Sequence, residues 1–273
     1  MESPCFGPSQ EDCMATESPP ATELPADAAT EAIPRFLLDP TVPLQEAPFS
    51  MEHLEAHARA LAGQHAVVPS HPKEAELWDR FEANRAALET AFEAIVAAVQ
   101  AEEEITPGAE WLLDNFYVVR EQLSEIREDL PRRFYHELPK LARGRLAGYP
   151  RVYALALEII AHTDSTLDES TLTRFIKAYE EIAPLGMGEV WAVPIMLRLG
   201  LVENLRRLAD RIVETQSHRR CGEAWADEII DDRPVDPPAM LAERARELPI
   251  LPSPLVAHLD RRFRDQGHDL SAC

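Results

Sequence analysis

The sequence predicts an all-α protein: an irregular multi-helix bundle or a set of stacked helical hairpins that follows a disordered N-terminal tail. Only ten glycines occur among the 273 residues, and long stretches consist of alanine, leucine, glutamate and arginine, which are good helix formers. From Met51 onward, apolar residues recur at intervals of three and four, as they do on the buried face of an amphipathic helix. Capping residues and prolines mark the ends of these runs.

Composition divides the chain into three regions. Residues 1–50 are rich in proline, glutamate, serine, threonine and alanine, which bury too little apolar surface to offset chain entropy, so we predict a disordered tail. Residues 51–216 form the predicted helical domain. Residues 217–273 carry further helices, and we expect the native polypeptide to continue beyond them, because the stripe of Leu255, Leu259 and Phe263 begins close to the end.

The first helices are predicted from caps and periodicity. Ser50 caps a helix that ends near Gly63, an amphipathic helix covers 73–103, and Thr106 caps a helix over 107–131. The segment between residues 131 and 150 is broken by proline and glycine, so we expect short helical pieces that connect the longer helices. The remaining predicted helices are a central buried one over 151–162, then 168–182, 189–216 with a kink at Pro194, and 246–273.

Charge and cysteine content restrict the function classes. The formal net charge of -21 repels phosphate backbones, so we expect no nucleic-acid partner. No segment supplies the ~20 apolar residues of a membrane span, and the N-terminus lacks a secretory pattern. We therefore predict a cytoplasmic protein with no direct membrane span. Cys5, Cys13, Cys221 and Cys273 form no C-x-x-C pair and are predicted to be free thiols.

One polar cluster is a candidate binding site. Glu110 and Asp114 lie one turn apart on a predicted helix that also carries Asn115, an arrangement that superficially resembles the paired carboxylates of a sugar site. In the simpler interpretation, the charge of Glu110 interacts favourably with the helix dipole. Asp114 and Asn115 then form hydrogen bonds with residues of neighbouring segments, such as Arg151 or Arg198. We assign no catalytic residue and keep these three side chains as a candidate polar cluster.

Two pairs that contain histidine were considered for chemistry. His53 and His57 are spaced to meet one metal ion, but no H-E-x-x-H motif accompanies them, so a solvated helix face is the default interpretation. His162 and Asp164 are spaced to act as an orienting pair for a general base, yet no turn motif places a nucleophile, and we interpret them as a helix end and cap. The sequence therefore predicts no metal ligand and no cofactor-binding residue.

The run from residue 184 to 216 contains glycines and a charged series. Gly186 and Gly188 are not spaced as a phosphate-binding loop and are predicted to form a tight turn. The charged residues that follow are interpreted as the charged side of one helix, where they are solvated or pair locally, with a partner-docking face as the alternative. They are Arg198, Glu203, Arg206, Arg207 and Arg211.

Three long phrases carry a family resemblance. They read WLLDNFYVVREQL, DLPRRFYHELPKLARGRLAGYPRVYALALEIIAHTD and GEVWAVPIMLRLGLVENLRRLADRI. Together they resemble the N-terminal portion of cyclic β-1,2-glucan synthases, large bacterial membrane glycosyltransferases, over residues 51–269. The resemblance implies an enzyme that builds a glucan from nucleotide-activated glucose. It also places that activity in downstream domains, so no catalytic residue is transferred to this chain.

From the resemblance we expect a non-catalytic helical module that supports or regulates glucan synthesis. Its expected partners are the remaining domains of a glucan synthase or a membrane glycosyltransferase, and no cofactor is expected in this chain. The resemblance also implies an association with the bacterial inner membrane through a partner or through downstream segments. Two alternatives stay open: a stand-alone protein that binds carbohydrate or nucleotide sugar, and an inactive truncated remnant. The aromatic residues expected to anchor the module structurally, with Trp191 in the core, are Trp111, Tyr117, Tyr149, Tyr153 and Trp191.

Overall fold

The computed structural model describes residues 39, 41–69, 77–231 and 252–265. Within these ranges the all-α prediction is confirmed, since eight helices are joined by loops and two very short strands. The strands are β1 (Val67–Val68) and β2 (Lys140–Leu141). The helices are α1 (Met51–Gln64), α2 (Leu77–Gln100), α3 (Pro107–Asp129), α4 (Arg132–Glu137), α5 (Arg151–His162), α6 (Glu169–Glu180), α7 (Met187–Asp231) and α8 (Ser253–Asp265).

The described residues fall into two compact units, with a boundary inside α7 between Arg211 and Ile212. The larger unit contains α1 to α6 and the first part of α7, and the smaller unit contains the rest of α7 and α8. Within the smaller unit Leu255 and Leu259 are buried, and Arg262 forms an ion pair with Asp227. The division that the sequence places after residue 216 stays a prediction.

Helix α5 is buried along its whole length, as the sequence predicts. All 12 of its residues are buried. Gly200 of α7 lies against it, and a Cβ at that position would come within 2.6 Å of Ile160 Cδ1. A side chain at position 200 would therefore require the Ile160 methyl group to move. Elsewhere in the larger unit α1 contacts α6 and α2 contacts α3.

Residues 41–50 are packed against the helices, which corrects the predicted disorder of that part of the tail. Leu44 is fully buried, and its amide donates to Asn204 Oδ1 over 2.7 Å. The amide of Phe49 donates to the carbonyl of His162 over 3.0 Å. Such long-range contacts offset the entropy of ordering, and a composition averaged over fifty residues conceals them. The predicted disorder of residues 1–38 lies outside the described residues.

The connection between α3 and α5 contains a feature that the sequence did not predict. Strand β2 pairs with β1 in antiparallel register, with Val67 opposite Leu141. Lys140 in β2 is fully buried, and its Nζ donates to the carbonyls of Tyr135 and Leu138 over 2.6 and 2.8 Å. Strands of two residues have no hydrophobic periodicity, so the pattern along the chain gives no sign of them.

The predicted helix positions agree with the structure, apart from the ends. Helix α7 continues through Pro194 and extends well past residue 216. The predicted stretches 73–76, 246–251 and 266–273 lie outside the described residues. Among the helices that are described, none has an apolar stretch long enough to cross a membrane.

Three of the five expected aromatic anchors are exposed, so the expectation of a buried anchor is wrong for them. Tyr153 is buried, and Tyr149 stacks on it with ring centroids 5.5 Å apart. Trp111, Tyr117 and Trp191 instead expose 55%, 70% and 71% of their surface. Buried residues recur every three or four positions along α7, and Trp191 lies outside the face that they form. They include Ala192, Met196 and Leu199.

Cys221 corrects a further prediction. It is disulfide-bonded, whereas the sequence predicts four free thiols. The lack of a C-x-x-C pair therefore does not exclude a disulfide. The other three cysteines lie outside the described residues.

Candidate functional site

Three ionisable side chains meet inside the larger unit, between α1 and the end of α5. Glu158 and His162 lie four residues apart on α5 and so share one helix face. His57 reaches them from α1, whose buried stripe of Leu54 and Ala58 holds that helix against the core. We refer to His57, Glu158 and His162 as the histidine–glutamate cluster.

The distances within the histidine–glutamate cluster are short. Nε2 of His57 lies 3.0 Å from Oε2 of Glu158, and Nε2 of His162 lies 3.6 Å from the same oxygen. The three ligand-type atoms all lie within 4.8 Å of one another. Glu158 and His162 are each 8% exposed, whereas the His57 side chain is 26% exposed. The cluster is therefore buried on the α5 side and reaches solvent through His57.

Residues 47–49 cover the histidine–glutamate cluster. The Phe49 ring stacks on His162, with centroids 3.9 Å apart and planes inclined by only 10°. The same ring meets His57 edge-on, with centroids 5.5 Å apart. Nδ1 of His162 lies 3.3 Å from the carbonyl oxygen of Ala47. An aromatic ring and a backbone acceptor thus fix the orientation of the His162 imidazole.

The electrostatics of the histidine–glutamate cluster favour an ionised carboxylate. Burial by itself would raise the pKa of Glu158, but hydrogen bonds from His162 and His57 outweigh burial and lower that pKa. For His162, burial opposes the charged form, yet the hydrogen bond and charge of Glu158 raise its pKa above the ordinary value. The cluster is thus a buried, ionised carboxylate that faces two imidazoles. Such a group can hold a proton or a cation.

A third histidine near the cluster behaves differently. Burial lowers the pKa of His65 to about 4, although the charge of Glu158 acts in the opposite direction. Nδ1 of His65 lies 3.0 Å from the hydroxyl of Tyr179. His65 is therefore a neutral residue held by a hydrogen bond at ordinary pH.

The residues that the sequence singled out are distributed differently from the predicted pairs. His53 is exposed and contacts only the edge of Phe49 among the rings, with centroids 6.4 Å apart, whereas His57 faces Glu158. Asp164 is also exposed and accepts a hydrogen bond from Gln45. The partner that orients His162 is therefore Glu158 rather than Asp164. A signal existed in the sequence: Glu158 is the one acidic residue in the apolar run of α5, four residues before His162.

The candidate polar cluster on α3 stays a prediction. Glu110 and Asp114 are exposed, and Asn115 Nδ2 donates to the carbonyl of Trp111 in the preceding turn over 2.8 Å. The arginines suggested as neighbours have other partners. Arg151 pairs with Glu189 over 2.6 Å, and Arg198 pairs with Glu125 and Asp129. Of the two glycines predicted to form a tight turn, Gly188 lies inside α7, and Gly186 directly precedes that helix, where its amide donates to Glu189 over 2.8 Å.

A second buried carboxylate lies in the charged series of α7, which the sequence assigned to a face that is solvated or pairs locally. Glu203 is 1% exposed and Arg207 is 2% exposed, so neither is solvated, but the two pair locally at a spacing of four residues. Glu203 accepts from Arg80 at 2.6 and 3.0 Å and from Asn84 at 2.7 Å. It also accepts from Arg207 at 2.8 and 3.0 Å. We call these four residues the arginine network.

The arginine network saturates its carboxylate. Burial would raise the pKa of Glu203, but the hydrogen bonds and charges of Arg80 and Arg207 lower it to about 2. A carboxylate with donors on both oxygens has no capacity left for a ligand. The arginine network is therefore structural, and the histidine–glutamate cluster is the better candidate for a functional site.

Comparison with known proteins confirms the resemblance to cyclic β-1,2-glucan synthases. The chain is 40% identical over 184 residues to the cyclic beta-(1,2)-glucan synthase NdvB of Rhizobium meliloti (strain 1021). The aligned part is 67% of this chain and 6% of that protein. No family model matches the chain. The chain is thus related to a small part of a much larger synthase.

Proposed function

We propose that this chain is a non-catalytic helical module of a cyclic β-1,2-glucan synthase, and that it supports or regulates glucan synthesis by docking to the other domains. One observation carries the proposal. Large apolar side chains are exposed along one face of α7, at helical spacing: Met187 (72%), Val190 (42%), Trp191 (71%) and Leu201 (36%). We call these four residues the α7 stripe.

The physical chemistry of the α7 stripe favours an interface. Single exposed apolar residues are ordinary, but a row of them on one element marks an interaction surface. Tryptophan and methionine are enriched in protein interfaces. A helix of this kind docks its apolar face into a groove of its partner. Arg198 lies on the same face between Trp191 and Leu201, where it pairs with Asp129 over 2.9 Å and adds a polar group to the surface.

Kinship with part of a synthase supports the choice of partner. The chain spans 6% of the length of NdvB, so the remaining domains of a related synthase are available as the surface against which the α7 stripe packs. In this proposal those domains carry the synthase activity, and this module positions or regulates them.

A segment exchange tests the proposal. The 184-residue segment of NdvB that matches this chain is replaced by the corresponding segment of this chain, and cyclic glucan is measured in membranes. We expect the exchanged synthase to make glucan, and the same protein with Met187→Ser and Trp191→Ser to lose most of that activity. Tyr117→Ser is the matched control, since Tyr117 is equally exposed but lies on α3.

Two outcomes would contradict the docking proposal. Glucan synthesis that persists when the segment is deleted would remove any supporting role. Equal activity of the stripe variant and the Tyr117→Ser control would show that the α7 stripe is not the contact. Because the substituted side chains are exposed, loss of folding does not explain a loss of glucan, and circular dichroism of the isolated chain checks this.

Carbohydrate binding is a second candidate function, favoured by the surroundings of Trp111. This side chain is 55% exposed and lies on the α3 turn that also carries Glu110, Asp114 and Asn115. Exposed indole rings with nearby polar groups suit the apolar and hydroxyl-bearing surfaces of sugars. Calorimetry with β-1,2-glucan and with UDP-glucose tests it. Heat that disappears in Trp111→Ala supports this function, and no heat at millimolar ligand rejects it.

A further inference from the structure

We propose that His57, Glu158 and His162 bind one divalent transition-metal ion, with Zn²⁺ as the ion that the ligand set fits best. Two imidazoles and one carboxylate form a common three-ligand zinc set, which leaves a fourth position for water. The same set of two histidines and a carboxylate also suits other first-row divalent ions. Ca²⁺ and Mg²⁺ prefer six or more oxygen ligands and fit less well.

The hydrogen bond of His162 supports the assignment. The carbonyl of Ala47 can only accept, so Nδ1 of His162 carries the proton that bridges their 3.3 Å separation. In the neutral ring Nε2 then presents a lone pair to the Glu158 carboxylate, 3.6 Å away. Two acceptors that face each other at this distance need a cation or a proton between them. Metal-bound histidines commonly donate their other nitrogen to a backbone carbonyl in this way.

The spacing of the ligand atoms suits a small ion. Zinc bonds of 2.0 to 2.2 Å place two tetrahedral ligands ~3.3 Å apart. The observed separations of 3.0 and 3.6 Å from Glu158 Oε2 lie on either side of that value. All three ligand atoms lie within 4.8 Å of one another. Small rotations of the His57 side chain would complete the site.

Access and charge also favour a cation. His57 is the most exposed of the three side chains, so an ion enters from its side while Glu158 and His162 stay buried. Glu158 is a buried carboxylate, and a buried charge is costly unless a partner such as a bound cation pairs with it. The net charge of -21 raises the local concentration of cations around the protein.

Calorimetry on the full chain tests the site. The protein is stripped with a chelator and titrated with ZnCl₂, and we expect one high-affinity equivalent that also raises the melting temperature. Glu158→Gln and His57→Gln should each weaken binding on the order of 100-fold and remove the rise in melting temperature, because each deletes a ligand. His57→Gln alters a partly exposed side chain, so it reports on the site even where Glu158→Gln perturbs folding.

Controls separate this site from other histidines, since the chain contains nine. His136→Gln changes an exposed histidine on α4 and should leave the affinity unchanged. His53→Gln removes the neighbour of His57 on α1 and should change the affinity less than threefold. An equal loss in His53→Gln and Glu158→Gln would place the ion on the outer face of α1 and overturn the proposal. Absence of a one-equivalent binding event in the unmodified chain would overturn it directly.

Co²⁺ provides an independent readout. A Co²⁺ ion held by two imidazoles, one carboxylate and water in a four-coordinate site absorbs visible light far more strongly than the hexahydrated ion. We expect this spectrum in the unmodified chain and its loss in His57→Gln. A spectrum identical to that of free Co²⁺ would contradict the site, whatever the variants do.

Discussion

Glu158 and Glu203 are both buried glutamates in the larger unit, and they differ in what surrounds them. Glu203 receives hydrogen bonds on both oxygens from two guanidinium groups and an amide. Glu158 faces two imidazoles, which both approach the same oxygen. Guanidinium groups are permanently charged, whereas imidazoles gain and lose a proton near neutral pH. Burial of a glutamate therefore does not by itself indicate a ligand-binding site. The carboxylate must also have an oxygen that its neighbours leave available to a ligand.

Disruption of the arginine network should give the largest loss of stability. Glu203→Gln should lower the free energy of unfolding by about 3 to 5 kcal/mol at pH 7, because it leaves buried guanidinium charge unpaired. Urea denaturation measures the change. Glu125→Gln is the control, since its ion pair with Arg198 is exposed and should contribute at most about 1 kcal/mol. A loss no greater than that of the control would show that the network is not a stabilising unit.

The pH dependence of stability provides a second test of the arginine network. The pKa of Glu203 is lowered to about 2 by Arg80 and Arg207 against the effect of burial, from an ordinary value of 4.5. Its stabilisation is therefore complete above pH 4.5 and is lost as the pH falls toward 2. Glu203→Gln should show a flatter stability profile in that window than the unmodified chain.

His65 should produce proton linkage of the same sign at higher pH. Burial lowers its pKa to about 4 from the ordinary 6.5, so the unfolded chain binds this proton more readily. The free energy of unfolding should then decline as the pH falls from 6.5 toward 4. The groups that act on His65 are Tyr179, Glu158, Arg151 and His57. His65→Gln should reduce the decline, and an unchanged slope in stability against pH would contradict the account.

A smaller effect is expected when the histidine–glutamate cluster is changed without metal present. Glu158→Gln should lower the free energy of unfolding by about 1 kcal/mol at pH 8, since glutamine keeps an acceptor for His57 and leaves no guanidinium unpaired. Urea denaturation in the presence of a chelator measures it. If this loss matches that of Glu203→Gln, the two carboxylates are equally structural and the distinction between them fails.

The sequence predicts the helices far better than it predicts this site. The bounds of α5 agree because a mainly apolar run lies between Pro150 and Thr163. The cluster depends instead on His57 lying 101 positions before Glu158, a separation across which helical periodicity carries no information. Its cover, Phe49, falls in a segment whose average composition predicts disorder. Packing between distant segments decides both features, and local patterns do not encode it.

The smallest expected effect concerns a residue that belongs to neither buried glutamate. Trp191→Ala should change the free energy of unfolding by only about 0.5 kcal/mol, because its side chain is 71% exposed. Tyr153→Ala provides the contrast, since truncation of a fully buried aromatic ring costs about 3 to 5 kcal/mol. Thermal and urea denaturation of both variants measure the difference. A large loss in Trp191→Ala would mean that Trp191 is covered in the folded chain, and the α7 stripe would then be part of the core rather than a docking surface.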